Sequence, residues 1–212
     1  MSVIARNKTF PDNCRIETDQ SLLITHLCYK AIPVLLFIFL ECTIITQSEK
    51  GYLLMIKFKT TSPEQTEKFG YELATSLCAG DVIALTGDLG AGKTCLTRGI
   101  AKGLGSTSHV SSPTFTIVNE YEGGRLLLFH FDTYRLSGPD DFLMSGLDEY
   151  FFRDGVCVIE WSDIIEELLP QDTIKMTIRG DGNTRVFECE AGEKYNGYIE
   201  KAVAISGAEK EE

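Results

Sequence analysis

The chain has 212 residues, 43% of them hydrophobic and 24% charged, which excludes a disordered or membrane-embedded chain and leaves a globular domain with a real core. Its net charge is −11, and residues 1–54 hold five Lys or Arg and five Asp or Glu, so the acidic excess lies on residues 55–212. That surface disfavours direct grip on nucleic acid, which needs clustered Lys and Arg, and suits either a basic protein partner or plain solubility.

Seven cysteines form no C-x-x-C pair, and the three His offer no metal-like spacing beside them. Cys78, Cys95 and Cys157 fall in expected helices or strands, which suits reduced thiols and a cytoplasmic compartment.

Residues 1–54 do not match the rest. Their one apolar run, Ala31 to Leu40, is about half the ~20 residues of a spanning helix, and it contains Pro33. It lies too far from the first residue for a simple signal peptide. Three readings stand: a weak membrane-associated segment, a disordered or accessory extension, or a mis-assigned translation start. The last is preferred because a coherent pattern begins at Met55. No stable membrane association is expected.

Ile56 to Thr60 alternates apolar and polar, as a strand does. Ser62-Pro63-Glu64-Gln65 reads as an N-cap, an N1 proline and a capping-box glutamine. The helix that follows carries Phe69, Leu73 and Leu77 on one stripe, with Gly80 closing it. A buried strand at 82–86 leads into Gly87-Asp88-Leu89-Gly90-Ala91-Gly92-Lys93-Thr94 and then a helix ending near Gly105. This is a complete G-x-x-x-x-G-K-[ST] loop in strand–loop–helix context. Glycines let backbone N–H groups converge on phosphate oxygens, and the helix N-terminus adds positive potential. Lys93 can neutralise outer phosphates, and the Thr94 hydroxyl can hold Mg²⁺. A nucleoside triphosphate is the expected ligand.

Thr114–Tyr121 and Arg125–Phe131 read as a hairpin about Glu122-Gly123-Gly124. Pro139–Phe152 reads as one or two short helices broken at Gly146. Val156–Ile159 is a second fully apolar strand ending at Glu160-Trp161. Ser162 is expected to cap a short helix to Leu168, stopped by Pro170. Thr173–Arg179 and Arg185–Glu190 form a last hairpin, and residues 208–212 read as solvated and frayed. The expected fold is α/β, a P-loop NTPase-like three-layer sandwich with a mixed central sheet. Residues 55–191 form this P-loop domain, and 192–212 a C-terminal helix or tail.

Two carboxylates, Asp132 and Glu160, close apolar strands, where open α/β sheets place ligands. Either can bind Mg²⁺ or orient an attacking water. Ser112-Pro113-Thr114 lies where a loop could sense a terminal phosphate, or it is only a capped turn. Trp161 packs a core or stacks on a base or partner. Arg135 contacts phosphate, a partner or a surface acid. An Asn-Lys-x-Asp guanine motif is absent, which argues against a GTPase, and no Arg-rich lid stands out, which weakens a small-molecule kinase.

The phosphate loop, Ser112-Pro113-Thr114-Phe115-Thr116-Ile117-Val118, His130-Phe131-Asp132-Thr133-Tyr134-Arg135-Leu136 and Ile159-Glu160-Trp161 together resemble the bacterial TsaE (YjeE) family. The likeness runs from about Met55 to about Glu190. It implies a small ATPase needed for N6-threonylcarbamoyladenosine in tRNA, which acts on a TsaD–TsaB transferase pair and meets tRNA only through that complex. By the same resemblance, Thr94 and Glu160 bind Mg²⁺, Lys93, Asp132 and Glu160 are catalytic, and the Ser112–Thr114 loop is a switch. Asp88, Leu89, Gly90, Ala91, Gly92, Lys93, Thr94, Cys95, Thr114 and Trp161 then surround the nucleotide. The chain departs from the family pattern at Thr133, at Ser162-Asp163 and at Cys95. A nucleotide-dependent binding module with little turnover, and a small-molecule kinase, are the alternatives.

Overall fold

The computed structural model describes residues 54–211. The Ala31–Leu40 run and the three readings of the N-terminal extension lie outside the described residues, as does Glu212.

Strand β1 (Leu54–Thr60) leads into helix α1 (Pro63–Ala74). The Ser62 hydroxyl accepts the Gln65 N–H at 3.2 Å, as an N-cap should. The reciprocal arm of the capping box is displaced by one residue: Gln65 Oε1 accepts from the N–H of Thr61 at 2.7 Å. Helix α1 stops at Ala74, with Thr75 as its C-cap, six residues before the expected Gly80. Gly80, at φ 88°, instead turns the chain into β2 and donates its N–H to Gly155 O at 2.7 Å. Leu77 is still buried, so the apolar stripe was informative about the core although it overran the helix.

Strand β2 (Val82–Thr86) runs through the glycine-rich loop into α2 (Lys93–Gly103). After a long connection come β3 (Val118–Tyr121) and β4 (Leu127–Asp132). Helix α3 (Pro139–Met144) and a 3-10 helix (Leu147–Phe152) are separated by Gly146 in the left-handed conformation, φ 67°. Strand β5 (Gly155–Glu160) is followed by a second 3-10 helix, Ser162–Leu168. Ser162 does not cap it; Trp161 holds the N-cap position without a side-chain bond, and Ser162 is buried. Strands β6 (Ile174–Asp181) and β7 (Thr184–Ala191) form the expected hairpin. Helix α4 (Glu193–Ser206) fills the C-terminal region. Residues expected to fray include β8 (Glu209–Lys210), which pairs with Phe58 and Lys59 of β1.

Among the described residues one sheet carries eight strands, in the order β3-β4-β5-β2-β6-β7-β1-β8. The run β4-β5-β2-β6 is parallel and the flanks are antiparallel. The mixed sheet is therefore as expected. The hydrophobic effect builds a layer on each face. On one side, Phe69, Leu73, Leu96, Ile100, Tyr195 and Ile199 from α1, α2 and α4 meet Phe58, Ile83, Leu85, Val158 and Phe187. On the other, Phe142, Leu147 and Ile165 cover Phe129, Phe131, Cys157 and Ile159. Strand β5 is buried along its whole length because both faces are covered, which is why it reads as an unbroken apolar run. Cys157 and Cys189 are buried free thiols, and burial pushes Cys157 up to about 12.

Helices α1 and α2 are bridged by Glu67, whose carboxylate accepts from Arg98 Nε at 3.0 Å and from Lys102 Nζ. Partial burial alone would raise the Glu67 pKa, but the hydrogen bonds and charges of Lys102 and Arg98 outweigh it and hold the pKa below the usual carboxylate value. Glu67→Gln is expected to cost about 0.5–1 kcal/mol at neutral pH, since solvent screens the pair. A folded pKa below the unfolded one means that this stabilisation is present above the ordinary carboxylate range and is lost as pH falls through the folded value. Urea unfolding of both proteins at pH 7 and pH 3 checks it: the wild-type advantage should shrink at the lower pH.

Candidate functional site

Parallel register decides where the chemistry gathers. Leu85 of β2 pairs with Glu160, and Asp132 pairs with the same Glu160, so the two acids stand side by side at the carboxyl ends of adjacent strands. The loop after β2 opens over them. Its turn needs glycine: a Cβ on Gly87 (φ 137°) would lie 2.2 Å from Ile178 O, and Gly92 caps α2 at φ 109°. Together these segments line a cleft of about 530 Å³, within the range of small-ligand sites.

Lys93 is buried at the start of α2. Its Nζ donates to Asp88 O at 2.9 Å and to Gly87 O, and it stands 3.8 Å from the Trp161 ring centroid. Burial lowers its pKa below the ordinary lysine value, and the charges of Glu160, Asp132, Asp163 and Asp88 oppose that. Thr94 Oγ1 donates to Glu160 Oε1 at 2.8 Å, and His130 Nε2 lies 2.8 Å from the same oxygen. His130 is fully buried, and its Nδ1 has no hydrogen-bond partner among the described residues. The proton therefore belongs on Nε2, donating to Glu160.

Asp132 is held by the neighbouring loop. Its Oδ2 accepts from Ser112 Oγ at 2.6 Å and Thr114 Oγ1 at 2.7 Å, while Oδ1 accepts the Tyr134 N–H at 3.1 Å. That loop corrects the hairpin expectation. Residues 114–117 are a turn, not a strand: Thr116 and Ile117 donate their N–H groups to Pro113 O. Ile117 sits at φ 67°, and its carbonyl accepts the Asp132 N–H at 2.9 Å. The β-type run Thr-Phe-Thr-Ile is overridden by this docking.

Trp161 also takes the left-handed conformation, φ 61° and ψ 38°, which costs a non-glycine residue about 1–3 kcal/mol. The turn swings its ring out of the sheet to line the cleft, between Lys93 and the Tyr134 ring 4.9 Å away. Of the residues expected around a nucleotide, Leu89, Gly90, Ala91, Gly92, Lys93, Thr94, Cys95, Thr114, Asp132, Glu160 and Trp161 line this one cleft. Asp88 is exposed and contributes its carbonyl to Lys93. Arg135 does not line the cleft; its guanidinium lies over the exposed Phe115 ring, 5.2 Å from the centroid.

The Thr94 hydroxyl with the Glu160 and Asp132 carboxylates is a set of hard oxygen donors, the kind a Mg²⁺ ion takes together with substrate oxygens and water. Among the described residues no group of three or more His, Cys, Asp or Glu is placed to hold a metal ion.

A family model described as "Threonylcarbamoyl adenosine biosynthesis protein TsaE" matches residues 60–187. The chain belongs to the TsaE family. The tRNA threonylcarbamoyladenosine biosynthesis protein TsaE of Bacillus subtilis (strain 168) is 45% identical over 142 residues, 66% of this chain and 89% of that one. The Treponema pallidum protein of the same name is 41% identical over 127 residues, 59% of this chain and 93% of its own. The crystal structure of Bacillus subtilis YdiB aligns with a TM-score of 0.61 at 39% identity, over 74% of this chain and 99% of that one. TsaE proteins serve threonylcarbamoyladenosine biosynthesis, and the α/β fold with its mixed sheet is shared with the solved relative.

The departures from the TsaE pattern now have places. Thr133 is buried and donates to Trp161 O at 2.7 Å, bracing the turn that carries the indole. Cys95 is half-buried, its thiol reaching Pro63 O at 3.4 Å, and burial raises its pKa. Sequence reasoning missed His130 as a Glu160 partner, although it lies two residues before Asp132 on one strand and so shares its face. It also missed Thr66, Arg98, Asn183 and Arg185, which line the cleft from distant segments and carry no local signal.

Proposed function

We propose that the chain is a Mg²⁺-dependent ATPase acting in tRNA threonylcarbamoyladenosine biosynthesis on a TsaD–TsaB transferase complex. One observation carries the reading: Lys93, the Thr94–Glu160 pair and Asp132 converge on a single cleft at the glycine-rich loop. The backbone N–H groups of the loop and the first turn of α2 cradle phosphate oxygens. Lys93 exchanges its carbonyl partners for the outer phosphates. Thr94 and Glu160 would hold Mg²⁺, which would supply charge neutralisation to the phosphate chain. Asp132 orients the attacking water and accepts its proton, and the Ser112–Thr114 hydroxyls tie that carboxylate to a loop able to respond to the terminal phosphate.

The acidic balance fits a role in which protein partners, not this chain, hold the tRNA. Among the described residues no helix is long and apolar enough to cross a membrane, and a cytoplasmic setting goes with this reading. The test is ATP turnover by the full chain, with and without Mg²⁺ and with and without TsaD–TsaB. Turnover that requires Mg²⁺ and rises with the partners is expected. ATP binding without partner-stimulated turnover would sink the ATPase and leave a nucleotide-dependent binding module.

A further inference from the structure

Strand β4 carries a second polar side chain on the face that bears Asp132. Side chains alternate along a strand, so Leu128, His130 and Asp132 share one face, while Phe129 and Phe131 pack on the other. In the parallel register His130 pairs with Val158 and Asp132 with Glu160, which makes Glu160 the diagonal neighbour of His130. The imidazole is fully buried, with the Tyr121 ring 6.3 Å away. An apolar side chain is what such a position ordinarily takes. Histidine there leaves Nδ1 without a partner among the described residues, at a cost of about 1–3 kcal/mol. Against that cost stands a single polar contact, Nε2 to Glu160 Oε1 at 2.8 Å.

That contact acts on a group with a soft torsion. The terminal bond of a glutamate has no sharp staggered wells, so its carboxylate turns readily unless donors hold it. Glu160 has two, and both fall on Oε1: Thr94 Oγ1 at 2.8 Å and His130 Nε2. Its Oε2 accepts no hydrogen bond among the described residues. The two tethers differ in kind. The Thr94 hydroxyl rotates, and it belongs to the same oxygen set as the carboxylate it holds. The His130 ring is locked in the core on β4, and it does not line the cleft. It therefore reaches the site through Glu160 alone.

We propose that His130 is a positioning residue for Mg²⁺ binding: its Nε2–H fixes the Glu160 carboxylate in the orientation in which Glu160 and Thr94 take the ion. The proposal rests on the Mg²⁺–nucleotide reading given above. Removing the hydrogen-bond partner of a ligating side chain lowers metal affinity by roughly 10–100-fold. The nucleotide's own contacts, with the glycine-rich loop and Lys93, do not pass through His130.

The test needs no turnover. The β,γ-imido analogue of ATP is titrated calorimetrically into the full chain, in EDTA and across a series of Mg²⁺ concentrations. The readout is the Mg²⁺ concentration that gives half of the metal-dependent gain in affinity. His130→Phe and His130→Leu fill the site without a donor, leucine being closer to imidazole in volume so that overpacking by phenylalanine does not decide the result. Each should raise that midpoint by roughly 10–100-fold and leave the affinity in EDTA unchanged. His130→Gln, whose amide can donate to Oε1, should recover most of the loss. An unchanged midpoint in both apolar variants overturns the proposal. So does an equal loss of affinity with and without Mg²⁺, which would make His130 a support of the fold and not of the ion. A glutamine no better than leucine overturns it as well. If wild type gains no affinity from Mg²⁺, the metal reading of Thr94 and Glu160 falls too. If wild type gains and both apolar variants gain alike, only the role of His130 falls.

Discussion

Asp132→Asn is expected to lower ATP turnover by about 10²–10⁴-fold while leaving ATP affinity nearly intact. The carboxylate lies in the cleft, 3% exposed, with three hydrogen bonds that fix both oxygens. Asparagine keeps the shape and can still accept the Tyr134 N–H, but it cannot take a proton from water. The loss should therefore fall on the chemical step and not on binding, which rests on the glycine-rich loop and Lys93. Single-turnover hydrolysis and equilibrium ATP binding, measured on the same preparation, separate the two. A variant that turns over normally removes Asp132 from the mechanism. One that loses binding as well assigns it to the architecture of the Ser112–Thr114 loop.

Gly99→Ala should destabilise the domain by about 3 kcal/mol, a fall of roughly 6–12 °C in Tm. The cause is the closeness of α1 to α2. A Cβ on Gly99 would lie 2.1 Å from Glu67 O, one on Gly103 would lie 2.3 Å from Tyr71 O, and one on Gly70 would lie 2.6 Å from Leu96 O. Backbone faces backbone along this contact, so no flexible side chain can give way. The helices must separate, and α2 carries Lys93 and Thr94 at its first turn. Gly197→Ala in α4 is the matched control: its Cβ would meet nothing within 4 Å. There alanine should stabilise by about 0.5–1 kcal/mol through helix propensity alone. Equal effects at the two positions would show that propensity, not the helix contact, governs both.

Much of the site could be read from the sequence because its parts are local. The strand–loop–helix at 82–103 is encoded by a short apolar run, glycines and a helix-forming stretch within about twenty positions. Asp132 and Glu160 stood out because each ends an apolar strand. The errors share another cause. Thr114–Ile117 has strand-forming residues, yet the Pro113 carbonyl and the Asp132 backbone draw it into a turn. Glu209–Lys210 has the composition of a frayed end, yet the edge of β1 recruits it. Gly80 looked like a helix stop and serves a turn against Gly155 instead. In each case a long-range partner outweighed local propensity.

Sequence alone determined the family, the α/β class, the glycine-rich loop with Lys93 and Thr94, and the acids to look for, since these depend on residue types at short spacing. Only the tertiary structure decided that Thr94 and His130 share one oxygen of Glu160, 66 and 30 positions away. It alone put the Trp161 ring over Lys93 through a left-handed turn, and brought Arg185 to Gly90 across 95 positions. Those contacts follow from which strands lie side by side and in what register. That choice is made by burying both faces of one sheet at once, a property of the whole chain that no short window contains.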